Sequence, residues 1–197
     1  MTELQIANMA LRHIGMKKLN DLNGVDPSTR AINEFFDICR DDVLGEFEWP
    51  FASVQFELDE SAEDALLGYA FMYDYPTQNV ATVWTVYNSA TADKKHEQDF
   101  EVRYLPDEDK RVILTNLDEA FCDYSHIVTN MDVWSPKFVS ALSFRLASEI
   151  CPGLTGDDKK AATMLDIYNA ILRESKRISS SEKSKKPNQT SSYQQAR

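Results

Sequence analysis

The sequence predicts an α+β protein that is mainly helical: a helical bundle with an inserted small antiparallel β-sheet or hairpins, followed by a disordered C-terminal tail. Three observations predict this class. Apolar residues recur at helical spacing near both ends, residues 51–116 change to the alternation typical of strands, and apolar periodicity is lost after residue 178. We therefore assign residues 1–50 and 131–178 to the bundle, 51–130 to a β-rich insert and 179–197 to a flexible tail.

Two helices are predicted before residue 50. Thr2 is a suitable N-cap for the first helix, and Gly15 is suited to end it. The second helix begins at Asp26-Pro27, because aspartate caps a helix and proline favours its first turn. It ends at Trp49-Pro50, since the residue before a proline is disfavoured in the helical region.

The middle of the chain changes from helical spacing to strand-like alternation. Five segments are rich in β-branched and aromatic residues and are separated by charged or turn-forming stretches: 51–58, 70–76, 80–87, 100–105 and 111–115. These segments indicate a small antiparallel sheet or a set of hairpins. The segment 118–130 has an ambiguous pattern that also allows a short helix at its start.

Two more helices are predicted after residue 130. Ser135-Pro136 predicts the start of the third and Gly153 its end, while the fourth starts near Thr155 with Asp158 as a capping partner. Apolar residues cover most of the third helix, which predicts burial on more than one side. We expect it to share one side with the β insert or a neighbouring subunit. Burial wholly within one subunit is the equal alternative.

Composition limits the classes of function. The 197 residues are 43% hydrophobic and 11% aromatic, which favours a folded chain with a substantial core. The net charge of −11 divides into −15 over residues 1–130 and +4 over 131–197. Such an acidic body repels nucleic acid and anionic membranes, so DNA binding is disfavoured. The sequence shows neither a membrane-spanning apolar run nor the pattern of a signal peptide.

The reactive residue types favour structural roles. The three cysteines are widely spaced and odd in number, which indicates reduced, partly buried thiols: Cys39, Cys122 and Cys151. The three histidines do not pair at metal-ligand spacing, so no metal site is predicted. Four acids crowd the end of the second helix: Asp41, Asp42, Glu46 and Glu48. A solvated acidic face explains them with no extra assumption, whereas paired catalytic carboxylates would also need an apolar cleft that raises the pKa of one acid.

An ordered set of motifs runs along most of the chain. They are ALRHIG (10–15), Arg40-Asp41, WPFA (49–52), GYAFMYDYP (68–76), ILTN (113–116), HIV (126–128) and WSPKFVSALSFRLASEICPGLTGD (134–157). This set, rather than any single motif, resembles the tail tubular protein A family of short-tailed phages, the head–tail adaptors beneath the portal. The resemblance covers about residues 1–175. The chain departs from the family pattern after Pro76. An acidic residue often follows this proline in the family, whereas Thr77-Gln78 follow it here.

The resemblance implies a non-enzymatic structural protein of the virion that is made in the host cytoplasm. It implies assembly with copies of itself into a twelvefold ring on the portal protein, with tail or nozzle proteins below. Genome DNA would pass through the extended channel without specific binding, and an acidic wall would help because it repels phosphate. No cofactor, metal or membrane is implied.

Six residues are candidates for contacts with partners. Arg145 and Glu149 are four apart in the apolar third helix, which predicts an ion pair within that helix or across a packing interface. The other four lie in the tail: Lys183, Lys185, Lys186 and Tyr193. We expect the tail to be disordered alone and to become ordered on the portal. A solubilising segment with no partner is the alternative.

Two other classes of function stay open. One is a cell-wall glycosidase associated with the tail that uses two of the acids after residue 40. The other is a helical regulatory module that binds DNA through the positive C-terminal end. The sequence disfavours both, because it shows no convergent basic or catalytic set of residues outside the tail.

Overall fold

A computed structural model describes residues 1–63, 65, 68–77, 79–88 and 99–183. Within this part of the chain the helices are α1 (Glu3–His13), α2 (Pro27–Glu46), α3 (Pro136–Thr155) and α4 (Asp158–Lys183). The strands are β1 (Ser53–Glu57), β2 (Phe71–Asp74), β3 (Val80–Asn88), β4 (Phe100–Leu105), β5 (Lys110–Thr115) and β6 (Ala120–His126). A short 3-10 helix, Met131–Val133, precedes α3.

The predicted fold class is wrong in one respect. The described chain is α+β with four helices and two three-stranded antiparallel sheets, 46% helical and 23% strand, rather than a mainly helical bundle with small hairpins. The error lies in β6, which falls in the ambiguous segment 118–130. This strand is the centre of the first sheet, in the order β1-β6-β3, and pairs with both neighbours. Because the prediction did not include β6 as a strand, it gave β1 and β3 no strand to pair with between them.

Polar residues concealed β6 in the sequence. Asp123 and Ser125 alternate with apolar residues, yet both are buried. The Tyr87 hydroxyl donates to Asp123 Oδ1 at 3.0 Å, and Trp84 Nε1 donates to Ser125 Oγ at 2.8 Å. These donors come from β3, so the burial of both polar side chains depends on strand pairing that no local pattern predicts.

The second sheet has the order β2-β5-β4. The chain after β1 crosses to it, because Glu60 bridges to Tyr73 of β2 in antiparallel pairing. The two sheets enclose a cluster of ten buried residues: Leu58, Tyr73, Tyr75, Val83, Val86, Ile113, Leu117, Ala120, Cys122 and Tyr124. A smaller cluster, made of Met72, Val112 and Leu114, lies on the other face of the second sheet.

The helices share one larger core, and the first sheet rests against it. α1, α2 and α4 all contact α3, while β3 contacts α2. At that contact the Thr82 hydroxyl donates to the Gly45 carbonyl oxygen at 3.0 Å. A Cβ atom at position 45 would lie 3.2 Å from Thr82 Oγ1, so glycine permits this close approach of strand and helix.

The starts of α1, α2 and α3 follow the predicted capping residues, and Gly15, with a left-handed φ of 83°, closes α1 as predicted. Thr2, Asp26 and Ser135 each accept backbone hydrogen bonds at a helix N-terminus. The predicted start of the fourth helix near Thr155 is wrong, because Asp157 caps α4, and α2 ends at Glu46, before the predicted Trp49-Pro50. The predicted stop at Gly153 is wrong: α3 continues to Thr155 and ends at Gly156, whose φ of 68° is left-handed. α4 continues to Lys183, so it enters the segment 179–197 predicted as a tail, and residues 184–197 lie outside the described chain.

Candidate functional site

The apolar helix α3 is buried within the subunit. It is contacted by α1, α2 and α4. None of its residues between Phe138 and Cys151 is exposed. The structure therefore shows the alternative of burial within one subunit, and the middle of α3 offers no apolar face to a neighbouring copy.

Arg145 lies at the centre of an ion-pair network between α2 and α3. Its guanidinium pairs with Glu149 in the same helix, and Nη2 donates to Asp42 Oδ2 of α2 at 3.0 Å. Burial lowers the pKa of Arg145, but hydrogen bonding to Glu149 and the charge of that carboxylate raise the pKa above its usual value. The predicted ion pair is thus present within the helix, beside a second one across a packing interface of the subunit. A role of both residues in partner binding stays a prediction.

Tyr168 makes a separate polar contact between α4 and α2. Its ring is 1% exposed, and its hydroxyl donates to Glu46 Oε2 of α2 at 2.9 Å. Burial and the hydrogen bond to Glu46 raise the pKa of the Tyr168 phenol, so the group stays protonated and acts as a donor. Sequence reasoning missed this pair because the two residues are 122 positions apart. Together, the two contacts tie α2 to α3 and to α4 inside one subunit.

Each of the four acids at the end of α2 contacts a neighbouring side chain. The contacts are Arg40 Nε to Asp41 Oδ1 (2.7 Å), Arg145 Nη2 to Asp42 Oδ2 (3.0 Å), Tyr168 hydroxyl to Glu46 Oε2 (2.9 Å) and Ser53 Oγ to Glu48 Oε1 (3.1 Å). Paired catalytic carboxylates flank one scissile bond. These four instead take part in separate contacts, which favours a structural role.

The tail candidates are not brought together by the described structure. Lys183 is the last residue of α4. Lys185, Lys186 and Tyr193 lie outside the described residues. Their predicted contact with the portal therefore stays a prediction.

The three cysteine thiols are free and buried. Burial raises the pKa of Cys39 to about 12 and that of Cys122 to about 12, so both stay protonated near neutral pH. Cys151 is also buried, with its sulfur 3.3 Å from Thr155 Oγ1. A metal-binding group of three or more His, Cys, Asp or Glu side chains is absent from the described chain. None of the helices described is long and apolar enough to cross a membrane.

An apolar groove lies where the end of α2 meets the start of α3 and the last turns of α4. It has a volume of about 290 Å³ and is lined by Phe47, Trp49, Pro50, Ser135, Pro136, Lys137, Ser175 and Ile178. Trp49 is held firmly: it is 2% exposed and donates from Nε1 to the Val43 carbonyl oxygen at 2.7 Å. Fixed aromatic walls allow the groove to accept an apolar side chain without rearrangement.

The long helix α4 leads to this groove. Its 26 residues extend about 39 Å. Between residues 158 and 178 it buries only one stripe, formed by Met164, Tyr168, Leu172 and Ser175. Its other faces are exposed or half-buried, and Leu165 is 41% exposed. We call the exposed face of residues 158–178 together with the groove the α4 surface.

The α4 surface combines an apolar groove with an exposed helical face. An apolar groove beside a long exposed helix is suited to a protein partner, since neighbouring apolar and polar groups provide both contact area and orientation. Comparison with protein-family models and with curated proteins found no match for this chain.

Proposed function

We propose that the chain is a structural head–tail adaptor of a phage virion. It assembles as a ring on the portal, extends the DNA channel and holds tail or nozzle proteins below. The observation that carries this proposal is the ordered set of motifs between residues 10 and 157. These motifs belong to both the helices and the sheets, so the resemblance concerns the whole fold and not one shared helix.

Contacts between distant motifs support the proposal. Trp49 of the WPFA motif packs edge-to-face on Phe138 of the motif at 134–157, with ring centroids 5.3 Å apart. Phe51 of the same motif packs on Phe138 at 5.1 Å. Motifs that pack together in one core belong to one structural unit. This packing is expected if the motifs were inherited together, and it is not expected if each short match arose by chance.

The distribution of charge and the α4 surface support an assembling role. A closed ring places one surface of each copy against a different surface of the next. Residues 1–130 carry net −15 and residues 131–197 net +4, so unlike regions of neighbouring copies attract each other. The α4 surface belongs to the second region, and its apolar groove provides a place for an anchoring side chain.

The separate contacts of the four α2 acids favour the adaptor over a glycosidase. A general acid in such an enzyme needs a carboxyl group in an apolar cleft, opposite a second carboxylate. Asp42 and Glu46 instead hold α2 to α3 and α4 through Arg145 and Tyr168. These two carboxylates therefore stabilise the packing of the helices.

The test is to mix the purified full chain with portal rings and to count bound copies by native mass spectrometry. We expect twelve copies for each portal ring. Pro50→Asp places a charge in the groove and is expected to weaken binding, whereas the matched Pro106→Asp in the exposed turn after β4 is not. Failure of the unaltered chain to bind portal rings would refute the adaptor.

The competing functions have their own readouts with the same preparation. Loss of turbidity of a peptidoglycan suspension, abolished by Asp42→Asn, would favour the glycosidase. A mobility shift of DNA with steep salt dependence would favour the regulatory module. Deletion of residues 184–197 tests the tail: weaker recruitment to portal rings is expected, and unchanged recruitment would favour the solubilising alternative.

A further inference from the structure

The strand β4 has a free edge. It pairs with β5 on one side, and among the described residues no strand pairs with its other side. Its side chains are accessible: Val102 is 40% exposed and Tyr104 57% exposed. An exposed edge strand with apolar side chains is a template for pairing with another strand.

One backbone hydrogen bond fixes which residues face this free edge. The Tyr75 amide donates to the Arg111 carbonyl oxygen at 3.1 Å, so Arg111 directs its backbone groups away from β4. Arg111 lies opposite Tyr104 in the β4–β5 register. Because such pairs alternate along an antiparallel ladder, Tyr104 directs its own N–H and C=O to the free edge. The same alternation applies to Val102 and Phe100.

The remaining residues of β4 are already paired. By the same alternation, Glu101, Arg103 and Leu105 exchange backbone hydrogen bonds with Leu114, Val112 and Lys110 of β5. The register between β4 and β5 has no shift over these six residue pairs. The free edge is therefore regular, and it presents the backbone groups of every second residue.

The side chains of β4 are complementary to those of a second copy. Residues 100–104 read Phe-Glu-Val-Arg-Tyr, which is symmetric in character about Val102. Antiparallel pairing about a twofold axis at Val102 places Phe100 opposite Tyr104 of the second copy, and Glu101 opposite its Arg103. Aromatic pairs and opposite charges are both favourable directly across a strand pair.

The same register satisfies the backbone. Phe100, Val102 and Tyr104 are the residues with free groups, and each lies opposite a residue of this set in the second copy. Moving the axis by one residue places Glu101 opposite Glu101, or Arg103 opposite Arg103, which is unfavourable. The charges and the direction of the backbone groups therefore select one register.

We propose that the free protein forms a weak twofold homodimer in which β4 pairs with β4 of a second copy. The two second sheets then form one continuous sheet of six strands. Neither a proline nor a bulge within β4 prevents this pairing, although such devices protect many edge strands. A contact of five residues falls short of the roughly 1,200 Å² of stable interfaces, so the dimer forms only at high concentration.

The dimer goes beyond the proposed ring and competes with it. A ring of equivalent copies joins unlike surfaces and has no twofold axis between neighbours, whereas this pairing joins β4 to itself. The two copies of one dimer therefore cannot occupy neighbouring places in one ring while β4 remains paired with β4. If the proposed function holds, the dimer dissociates before a subunit joins the ring.

The first test is sedimentation velocity of the full chain, without portal, from about 10 μM to about 1 mM, a range suited to weak dimers. Arg103→Glu places glutamate opposite glutamate and is expected to weaken dimerisation by about tenfold or more, as is Glu101→Arg. The double variant Glu101→Arg/Arg103→Glu restores opposite charges and is expected to recover the dimer. Arg103 also pairs with Glu101 of its own strand, and the double variant restores that pair as well, so thermal unfolding of each variant is measured alongside to separate dimerisation from a defect in folding.

The second test is amide hydrogen exchange by NMR at low and high protein concentration. Phe100, Val102 and Tyr104 are expected to gain protection with concentration, while Glu101, Arg103 and Leu105 do not change. Val102→Pro removes an outward N–H and no β4–β5 hydrogen bond, so it is expected to abolish dimerisation and to retain cooperative thermal unfolding.

A monomer over the whole concentration range would overturn the dimer, as would dimerisation that both single charge reversals leave unchanged. Both measurements use the chain by itself, so a negative result leaves binding to the portal untouched. Conversely, failure to bind portal rings would leave the β4 pairing standing.

Discussion

The helices and the sheets of this protein bury their apolar residues in different ways. The helical part has one continuous cluster of 25 buried residues, which extends from α1 to α4. The sheets have two separate clusters of ten and three. Because a large connected core gives each side chain more partners, the helical part is expected to be the more stable of the two.

The two parts also differ in which of their groups remain accessible to a binding partner. In the helical part, the central helix α3 is covered by three others, and exposed apolar side chains lie on α2 (Ile38) and on α4 (Leu165), which also borders the groove. In the sheets, β4 keeps a free edge with exposed Val102 and Tyr104. A helix satisfies its own backbone, whereas an edge strand leaves half of its groups to a partner.

The largest effect is expected for Trp49→Ala in the helical core. Trp49 packs edge-to-face on Phe47 and Phe138, and its indole donates to the Val43 carbonyl oxygen. Loss of the ring leaves a cavity and removes the indole hydrogen bond, which lowers the free energy of unfolding by about 3–5 kcal/mol. Urea denaturation measures this change. The exposed Leu165→Ala serves as control, and a similar loss there would contradict a single dominant helical core.

A smaller loss is expected for Leu114→Ala in the sheets. Leu114 is fully buried, and among the described residues the other buried members of its cluster are Met72 and Val112. A small cluster collapses more easily around a cavity, so the cost is about 2–3 kcal/mol. Hydrogen exchange distinguishes the two parts: amides of β2, β4 and β5 are expected to exchange faster while those of α3 keep their protection. Equal acceleration in α3 would show that helices and sheets open together.

A third effect concerns the polar network inside the helical part. Arg145→Met removes the partner of Asp42 and Glu149, whose side chains are 44% and 36% exposed. Because water still reaches both carboxylates, the expected loss in free energy of unfolding is only about 1–2 kcal/mol. Arg173→Met on the exposed face of α4 is the matched control. A loss above that of Leu114→Ala would mean that the network, and not apolar burial, dominates this interface.

The smallest effect is the pH dependence that His13 adds to the helical part. Its ring stacks on Phe144 with centroids 3.9 Å apart, and burial, followed by the charge of Arg12, lowers the pKa of His13. The unfolded chain therefore binds this proton more readily than the folded one. The stability due to neutral His13 is present above about pH 6.5 and is lost as the pH falls towards the folded pKa.

Urea denaturation of the protein and of His13→Gln, between about pH 7.5 and pH 5, measures this contribution. The variant is expected to lose less stability than the parent over that interval. Parallel curves for the two proteins would rule out His13 as a source of the pH dependence.

The starts of the helices were predictable because their signals are local. Thr2, Asp26 and Ser135 provide the side-chain acceptors that the first free N–H groups of each helix need. The strand segments from 51 to 115 were also predictable from their β-branched and aromatic composition. The end of α3 was not, because Pro152 and Gly153 are tolerated in its last turn and the left-handed residue is Gly156.

The candidate sites divide in the same way. The pair of Arg145 and Glu149 follows from a spacing of four within one helix, so the sequence predicts it. The links to Asp42, and from Tyr168 to Glu46, join residues far apart in the chain and required the packed helices. The groove and the free edge of β4 likewise depend on which elements lie side by side.

Local patterns in the chain are enough to predict the capped starts of α1, α2 and α3 and the strand-forming segments, since each depends on residues within a few positions of one another. The acidic charge of residues 1–130 also follows from composition alone. The place of β6 as a central strand follows from packing, because β3 supplies the hydrogen-bond donors that allow Asp123 and Ser125 to be buried. The tertiary structure also decided that α3 is enclosed and that β4 is left at an edge. Burial and strand order are properties of the assembled elements, and no local pattern contains them.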